Sequence, residues 1–194
     1  MESKSPFRIV TAASLFDGHD AAINLFRRLL QTSGMEVIHL GHNRSVKEIV
    51  LTAIQEDAHA ICISSYQGGH LEFYTSILNS LKKENCEHIQ VFGGGGGTIL
   101  PKEIKQLQKL GVKRIYHPED SRALGLPGII KDIKHHLQSQ HYPLLNLDQA
   151  TKLADNNDLS DQQAASLITM AQFHNLSSKD LTPLLNKLQK NKKP

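Results

Sequence analysis

The chain has 194 residues, 39% hydrophobic, 21% charged and 5% aromatic, with no Trp and a formal net charge of +3. That length supports one domain with a full core and a small appendage, and the composition excludes a wholly disordered chain. Lys187, Lys190, Lys192 and Lys193 hold much of the positive excess in a terminal tail, so the body is nearly neutral and no nucleic-acid footprint is expected.

In chain order, "RIVTAA" reads as a first strand. Ala22, Phe26, Leu29 and Leu30 then recur at helical spacing, with Gly34 placed as a C-cap glycine. "MEVIHL" predicts a second strand, and Ser45 with Glu48 forms a capping-box pattern for the helix that follows. "AHAICIS" is continuously apolar, as a central strand covered on both faces must be. "IQVF" and "KRIYH" complete five strands, each separated from the next by one helix-sized segment.

Five β-α units in series require crossover helices between parallel neighbours. The expected fold class is therefore α/β: a flavodoxin-like (Rossmann-like) five-stranded parallel sheet, order 2-1-3-4-5, with helices on both faces. Residues 1–138 are expected to form this domain and 139–194 a linker with a short helical appendage. In the linker, "SQHYPLLNLDQATKLADNN" shows no sustained period. Ser160 with Gln163 then predicts one helix, with Leu167, Ile168 and Ala171 as its apolar stripe, and "SSKDLTPLLNKL" a second.

Cys62 and Cys86 are the only cysteines and form no C-x-x-C pair, which fits a reducing, cytoplasmic setting with Cys62 as a small core residue. No window approaches the ~18 apolar residues needed to span a bilayer, and "MESKSPF" lacks a signal-peptide core. No membrane partner is expected.

Ligands of this topology sit beyond the carboxyl ends of strands 1, 3 and 4. All the unusual residues fall there: "SLFDGHDAA" after strand 1, "SSYQGGH" after strand 3 and "GGGGGTILP" after strand 4. Five consecutive glycines, 93 to 97, are costly to order. They imply a backbone lying flush against something large, with positive φ at several positions, and Pro101 fits the first position of the next helix. No Lys-Ser/Thr pair follows them and Thr98 breaks a G-x-G-x-x-G pattern, so neither nucleotide-binding loop fits. A phosphoacceptor receiver domain needs an Asp ending strand 3 and a Lys ending strand 5; Ser64 or Ser65, and His117 with Pro118, stand there instead.

Asp17 and His19 flank Gly18 in the first loop, with Asp20 next. A carboxylate on one imidazole nitrogen fixes the tautomer and raises the basicity of the other. No His or Cys cluster with zinc spacing surrounds the pair. One His with one supporting Asp suits a metal whose other positions are filled by something else, such as a macrocycle.

D-x-H after strand 1, a Ser-x-hydrophobic motif after strand 3 and a Gly-Gly pair after strand 4 resemble the cobalamin-binding domain of adenosylcobalamin-dependent mutases and methionine synthase. The resemblance covers about residues 7–138. More narrowly, "TAASLFDGHDAAIN", "HLGHNRS", "SSYQGGH" and "VFGGGGGTILP" resemble the N-terminal part of the fused isobutyryl-CoA mutases, of the methylmalonyl-CoA mutase family. The resemblance implies adenosylcobalamin bound base-off, with His19 as the lower axial ligand of cobalt and Asp17 hydrogen-bonded to its other nitrogen. It implies that Ser64 and Tyr66 meet the displaced nucleotide tail. Gly93, Gly94 and Gly95 would let that tail slide along strand 4, and Gly68 and Gly69 would leave room for corrin or tail. Gly18, Asp20 and Ala22 complete the implied cofactor-binding loop.

Three positions depart from the family pattern: Ala22 replaces the Gly of D-x-H-x-x-G, Tyr66 replaces Leu, and Ala13 replaces a Lys found in some mutases. The implied function is the cobalamin-binding module of an isomerase that rearranges the carbon skeleton of an acyl-CoA. Its implied partners are an acyl-CoA-binding barrel and a G-protein chaperone domain, fused or separate, in a homo-oligomeric enzyme. The chain then reads as a fragment of that enzyme or a separate small subunit, not catalytic alone. A stand-alone corrinoid carrier or sensor, or a corrinoid methyltransferase domain, is the alternative.

Overall fold

The computed structural model describes residues 6–140, 142, 145–154, 159–173, 182 and 186. In chain order the elements are β1 (Arg8–Ala13), α1 (Asp20–Thr32), β2 (Glu36–Gly41), α2 (Val46–Gln55), β3 (Ala60–Ser64), α3 (His70–Lys83), β4 (Gln90–Gly94), α4 (Pro101–Leu110), β5 (Arg114–Tyr116), α5 (Pro118–Gln138), α6 (Leu147–Ala154) and α7 (Asp161–Phe173). The five strands form one parallel sheet in the order β2-β1-β3-β4-β5. That is the flavodoxin-like topology expected from the strand pattern.

The central strands β1 and β3 are buried along their whole length, because helices cover both faces. On one face Val10, Ala12, Ile61 and Ile63 pack with Ile49, Tyr74, Ile77 and Leu81. Each buried Val, Ile or Leu side chain among them contributes about 1.5–3 kcal/mol. Helix ends follow local chemistry. Gly34, at φ 85°, closes α1 with its N–H on Gln31 O, while Met35 N–H reaches Leu30 O, a left-handed terminus that suits glycine. Ser45 and Glu48 cap α2 reciprocally, and Pro101 opens α4.

Two elements carry irregularities. Thr11 pairs with His39 but Ala12 with Gly41, so Leu40 is an extra residue in β2, a bulge that re-aims the following turn. In α5 the helical path breaks at Gly125, with φ 64° and ψ 168°.

The chain falls into two units, one of them residues 6–141. In the other, Ala150, Leu167 and Met170 form a small core with Leu145, Leu153 and Leu159. The sequence pattern differs from the structure here in two ways. Helix α6 occupies part of the stretch expected to be an irregular linker, and Asn146 and Gln149 cap it reciprocally at 2.9–3.0 Å. In α7 the buried residues include Leu167 and Met170, while Ile168 is 66% exposed. The expected cap is present, with Ser160 N–H on Gln163 Oε1 at 3.0 Å and Gln163 N–H on Ser160 Oγ at 3.3 Å. The second appendage helix expected from "SSKDLTPLLNKL" lies almost wholly outside the described residues. Among the described residues no helix is long and apolar enough to cross a membrane.

Candidate functional site

The carboxyl ends of β1, β3 and β4 bring the three unusual loops side by side. Ser14 N–H donates to Ser64 O at 2.9 Å and Ser65 N–H to Gly94 O at 2.8 Å, extending the sheet ladder into the loops. Ser14 Oγ donates to Ser65 Oγ at 3.1 Å. Asp17 is fully buried at this junction. Its Oδ1 accepts from the backbone N–H of His19 at 2.9 Å and contacts His19 Nδ1 at 2.8 Å. Its Oδ2 accepts from Tyr66 N–H.

Burial alone raises the Asp17 pKa, but the hydrogen bonds from Tyr66 and His19 outweigh it and hold the carboxyl below the ordinary aspartate range. The carboxylate is therefore ionised and accepts only. Nδ1 of His19 must carry a proton, so in the neutral ring the lone pair is on Nε2. The His19 side chain is 67% exposed, and its ring lies 5.4 Å from that of Tyr66. A fixed imidazole thus presents a basic nitrogen at the open end of the sheet. Among the described residues no group of three or more His, Cys, Asp or Glu could hold a metal ion. A metal bound at His19 must bring most of its own ligands.

Beside this loop is a cavity of about 270 Å³ between α1, the ends of β3 to β5, and α5. Its lining includes Ala22 and Phe26 of α1, Ser64 of β3, the backbone of Gly93 and Gly94 in β4, Tyr116 of β5 and Ile133 of α5. The adjacent glycines Gly93 and Gly94 face opposite ways. A methyl at Gly93 would fall 2.0 Å from Tyr74 Oη and 2.7 Å from Ile115 Cδ1; one at Gly94 meets only Tyr116 O, at 3.4 Å. Strand alternation puts Gly94 on the face of Phe92, a cavity residue. The bare face at 94 is a cradle that a Cβ would fill, and with Ser64 and His19 it fits a macrocycle carrying a tail.

The glycine run differs from its sequence expectation. Only Gly96 within it has positive φ, at 59°. Gly93 and Gly94 belong to the extended β4 strand. Gly95 is required by Ser65, whose carbonyl oxygen would be 1.7 Å from an added Cβ, and Gly96 by the Tyr66 ring at 2.8 Å. These close approaches are internal to the fold and involve residues distant in sequence.

Of the other candidate positions, Gly18 is exposed with open space around it, Asp20 begins α1, and Ala22 is half-buried. Gly68 and Gly69 are exposed at the start of α3, where Gly69 takes φ 80°. The sequence reading missed Phe26, Tyr116 and Ile133. Phe26 was visible as an apolar position on α1, but nothing local marks it as a cavity wall.

A protein 33% identical over 113 residues, 58% of this chain and 81% of the relative, is the 2-hydroxyisobutanoyl-CoA mutase small subunit of Aquincola tertiaricarbonis. The fused isobutyryl-CoA mutase of Cupriavidus metallidurans is 62% identical over 126 residues, which are 65% of this chain. The chain spans only 12% of the length of that relative. A crystal structure of a cobalamin-binding protein from Desulfitobacterium hafniense shares the fold, with a TM-score of 0.56 and 23% identity over 68% of this chain and 59% of that one. The B12 binding domain family matches residues 7–124, a span that holds the buried Asp17, the exposed imidazole and the glycine cradle together, and the chain belongs to that family.

Proposed function

We propose that this chain is the cobalamin-binding module of an adenosylcobalamin-dependent acyl-CoA mutase and binds the cofactor base-off, with His19 on cobalt. One observation carries the reading: the buried Asp17 carboxylate fixes the proton on Nδ1 of His19, 2.8 Å away, and leaves Nε2 exposed for a metal. The cavity beside it, lined in part by Ser64 and Gly94, gives the displaced nucleotide tail a largely apolar slot. Gly18, Asp20, Tyr66, Gly68, Gly69 and Gly95 shape the surrounding loops, and Gly93 lies beside them in β4.

When bound, adenosylcobalamin supplies Co–C homolysis and radical rearrangement of the substrate skeleton. The chain's own residues would orient the His19 imidazole, hold a proton on its Nδ1, and shield part of the bound group from water. The acyl-CoA belongs to an isobutyryl-CoA or methylmalonyl-CoA type of substrate and is held by a separate barrel domain. A G-protein chaperone domain and a homo-oligomeric enzyme complete the assembly. Two buried free thiols, Cys62 and Cys86, suit a cytoplasmic setting.

Electron paramagnetic resonance of the Co(II) form tests the reading. Labelling histidine with ¹⁵N is expected to change the axial nitrogen splitting, and His19→Ala to abolish it. An unchanged splitting on labelling overturns the His19 assignment.

A further inference from the structure

The loop after β2 lies outside the three loops that form the site, yet it reaches the ligand loop. Phe16, immediately before Asp17, has φ 63°, a left-handed conformation that a bulky residue disfavours. Its side chain gives little packing to hold it there, since Phe16 is 74% exposed. Its peptide groups are held by polar contacts instead. Phe16 N–H donates to Asn43 Oδ1 at 2.9 Å, across 27 residues of chain. Gln67 Nε2 donates to Phe16 O from the loop after β3.

The β2–α2 turn has the features needed to deliver that carboxamide. The bulge at Leu40 shifts the strand register. Gly41 and Asn43 both take positive φ, 83° and 55°. Arg44 Nε donates to Leu40 O at 2.6 Å, which gives the bulge carbonyl a partner.

We infer that Asn43, assisted by Gln67, is a positioning residue for His19: it clamps the Phe16 peptide in its left-handed conformation and so fixes the turn that aims the Asp17–His19 pair. This inference rests on the reading of His19 as the cobalt ligand. Without the clamp, Phe16 relaxes toward ordinary φ, and the imidazole must be ordered when the cofactor binds.

The test uses the full chain and cob(II)alamin, with two readouts. Amide hydrogen exchange at Phe16 in the apo protein reports the clamp, and the dissociation constant reports its effect. Asn43→Ala is expected to speed exchange at Phe16 and to weaken binding about 10- to 100-fold, the range typical of groups supporting a metal ligand. Gln67→Ala is expected to shift both in the same direction. Adding Phe16→Gly to Asn43→Ala is expected to restore most of the affinity, since glycine takes positive φ without strain. A merely structural role for Asn43 gives no such rescue. The clamp is overturned if Asn43→Ala binds like the wild type, or if the double variant binds no better than Asn43→Ala. A wild-type chain that shows no histidine nitrogen on cobalt overturns the ligand reading itself, and does so before any variant is compared.

Discussion

Asp17 and His19 stand two residues apart on opposite sides of the protein surface: the carboxylate is fully buried, the imidazole two-thirds exposed, and a 2.8 Å hydrogen bond joins them. The buried partner also collects the backbone N–H groups of His19 and Tyr66, so it organises two loops at once. The exposed partner is left free to bind.

That division predicts unequal costs of substitution. Asp17→Ala orphans two backbone donors at a buried junction and is expected to lower stability by about 2 kcal/mol or more. His19→Ala removes one bond from a largely exposed ring and is expected to cost about 1 kcal/mol or less. Both variants are expected to weaken cobalamin binding. Urea unfolding of the apo proteins, set beside cofactor titration, checks the pattern; equal stability losses contradict it.

The two faces of β4 predict a second contrast. Gly93→Ala drives a methyl into Tyr74 and Ile115 and is expected to destabilise by about 2 kcal/mol or more. Gly94→Ala meets only ordinary contact with Tyr116 O. It is expected to fold within about 1 kcal/mol of wild type while weakening cobalamin about tenfold by intruding on the cavity. Unfolding midpoints and binding constants for both variants decide the matter, and a Gly94→Ala chain that binds normally removes that residue from the site.

Burial is the largest cause that holds His59 and His88 below the ordinary histidine value of 6.5, against the opposite pull of Asp57. Well above pH 6.5 these rings are neutral whether the chain is folded or not. As the pH falls through 6.5, the unfolded chain takes up protons that the fold resists, so stability is lost on the acid side until the folded values are crossed. His59 Nδ1 accepts from Arg8 N–H at 3.1 Å, and Asn offers a similarly placed acceptor. His59→Asn is therefore expected to flatten the decline in unfolding free energy between pH 7 and about pH 5; a slope identical to wild type rejects this source.

The thiols predict chemical inertness. Burial pushes Cys62 up to about 12 and Cys86 up to about 11. At pH 8 the Cys62 thiolate fraction is on the order of one in ten thousand. Neither cysteine is expected to alkylate in the native chain, and both should react once it is denatured. Mass spectrometry after iodoacetamide treatment reads the result directly.

Much of this was legible in the residues. Alternating strand and helix patterns led to the 2-1-3-4-5 sheet because each signal is local: β-branched runs, the Ser45–Glu48 cap and Pro101 opening α4. The Asp17–His19 bond was legible for the same reason, since both groups share one short loop. The roles of the glycines were not. Gly93 and Gly95 answer to Tyr74 and Ser65, whose approach depends on packing between strands and helices far apart in sequence. Helix α6 did leave a local trace in Asn146 and Gln149, a capping pair inside a stretch that otherwise lacks period. Asn43 gave no comparable sign, because its significance depends on a bulge and on a partner 27 residues away.

The back-to-back glycines of β4 have an evolutionary consequence. One of the two positions answers to the interior and its neighbour to the cavity, so selection can act on each separately. A variant library sorted only for folded chains should hold Gly93 fixed and let small residues accumulate at 94. Sorting the same library for cofactor capture should restore glycine at both. A lineage that stopped using the cofactor could therefore record the loss at residue 94 while its architecture stayed intact.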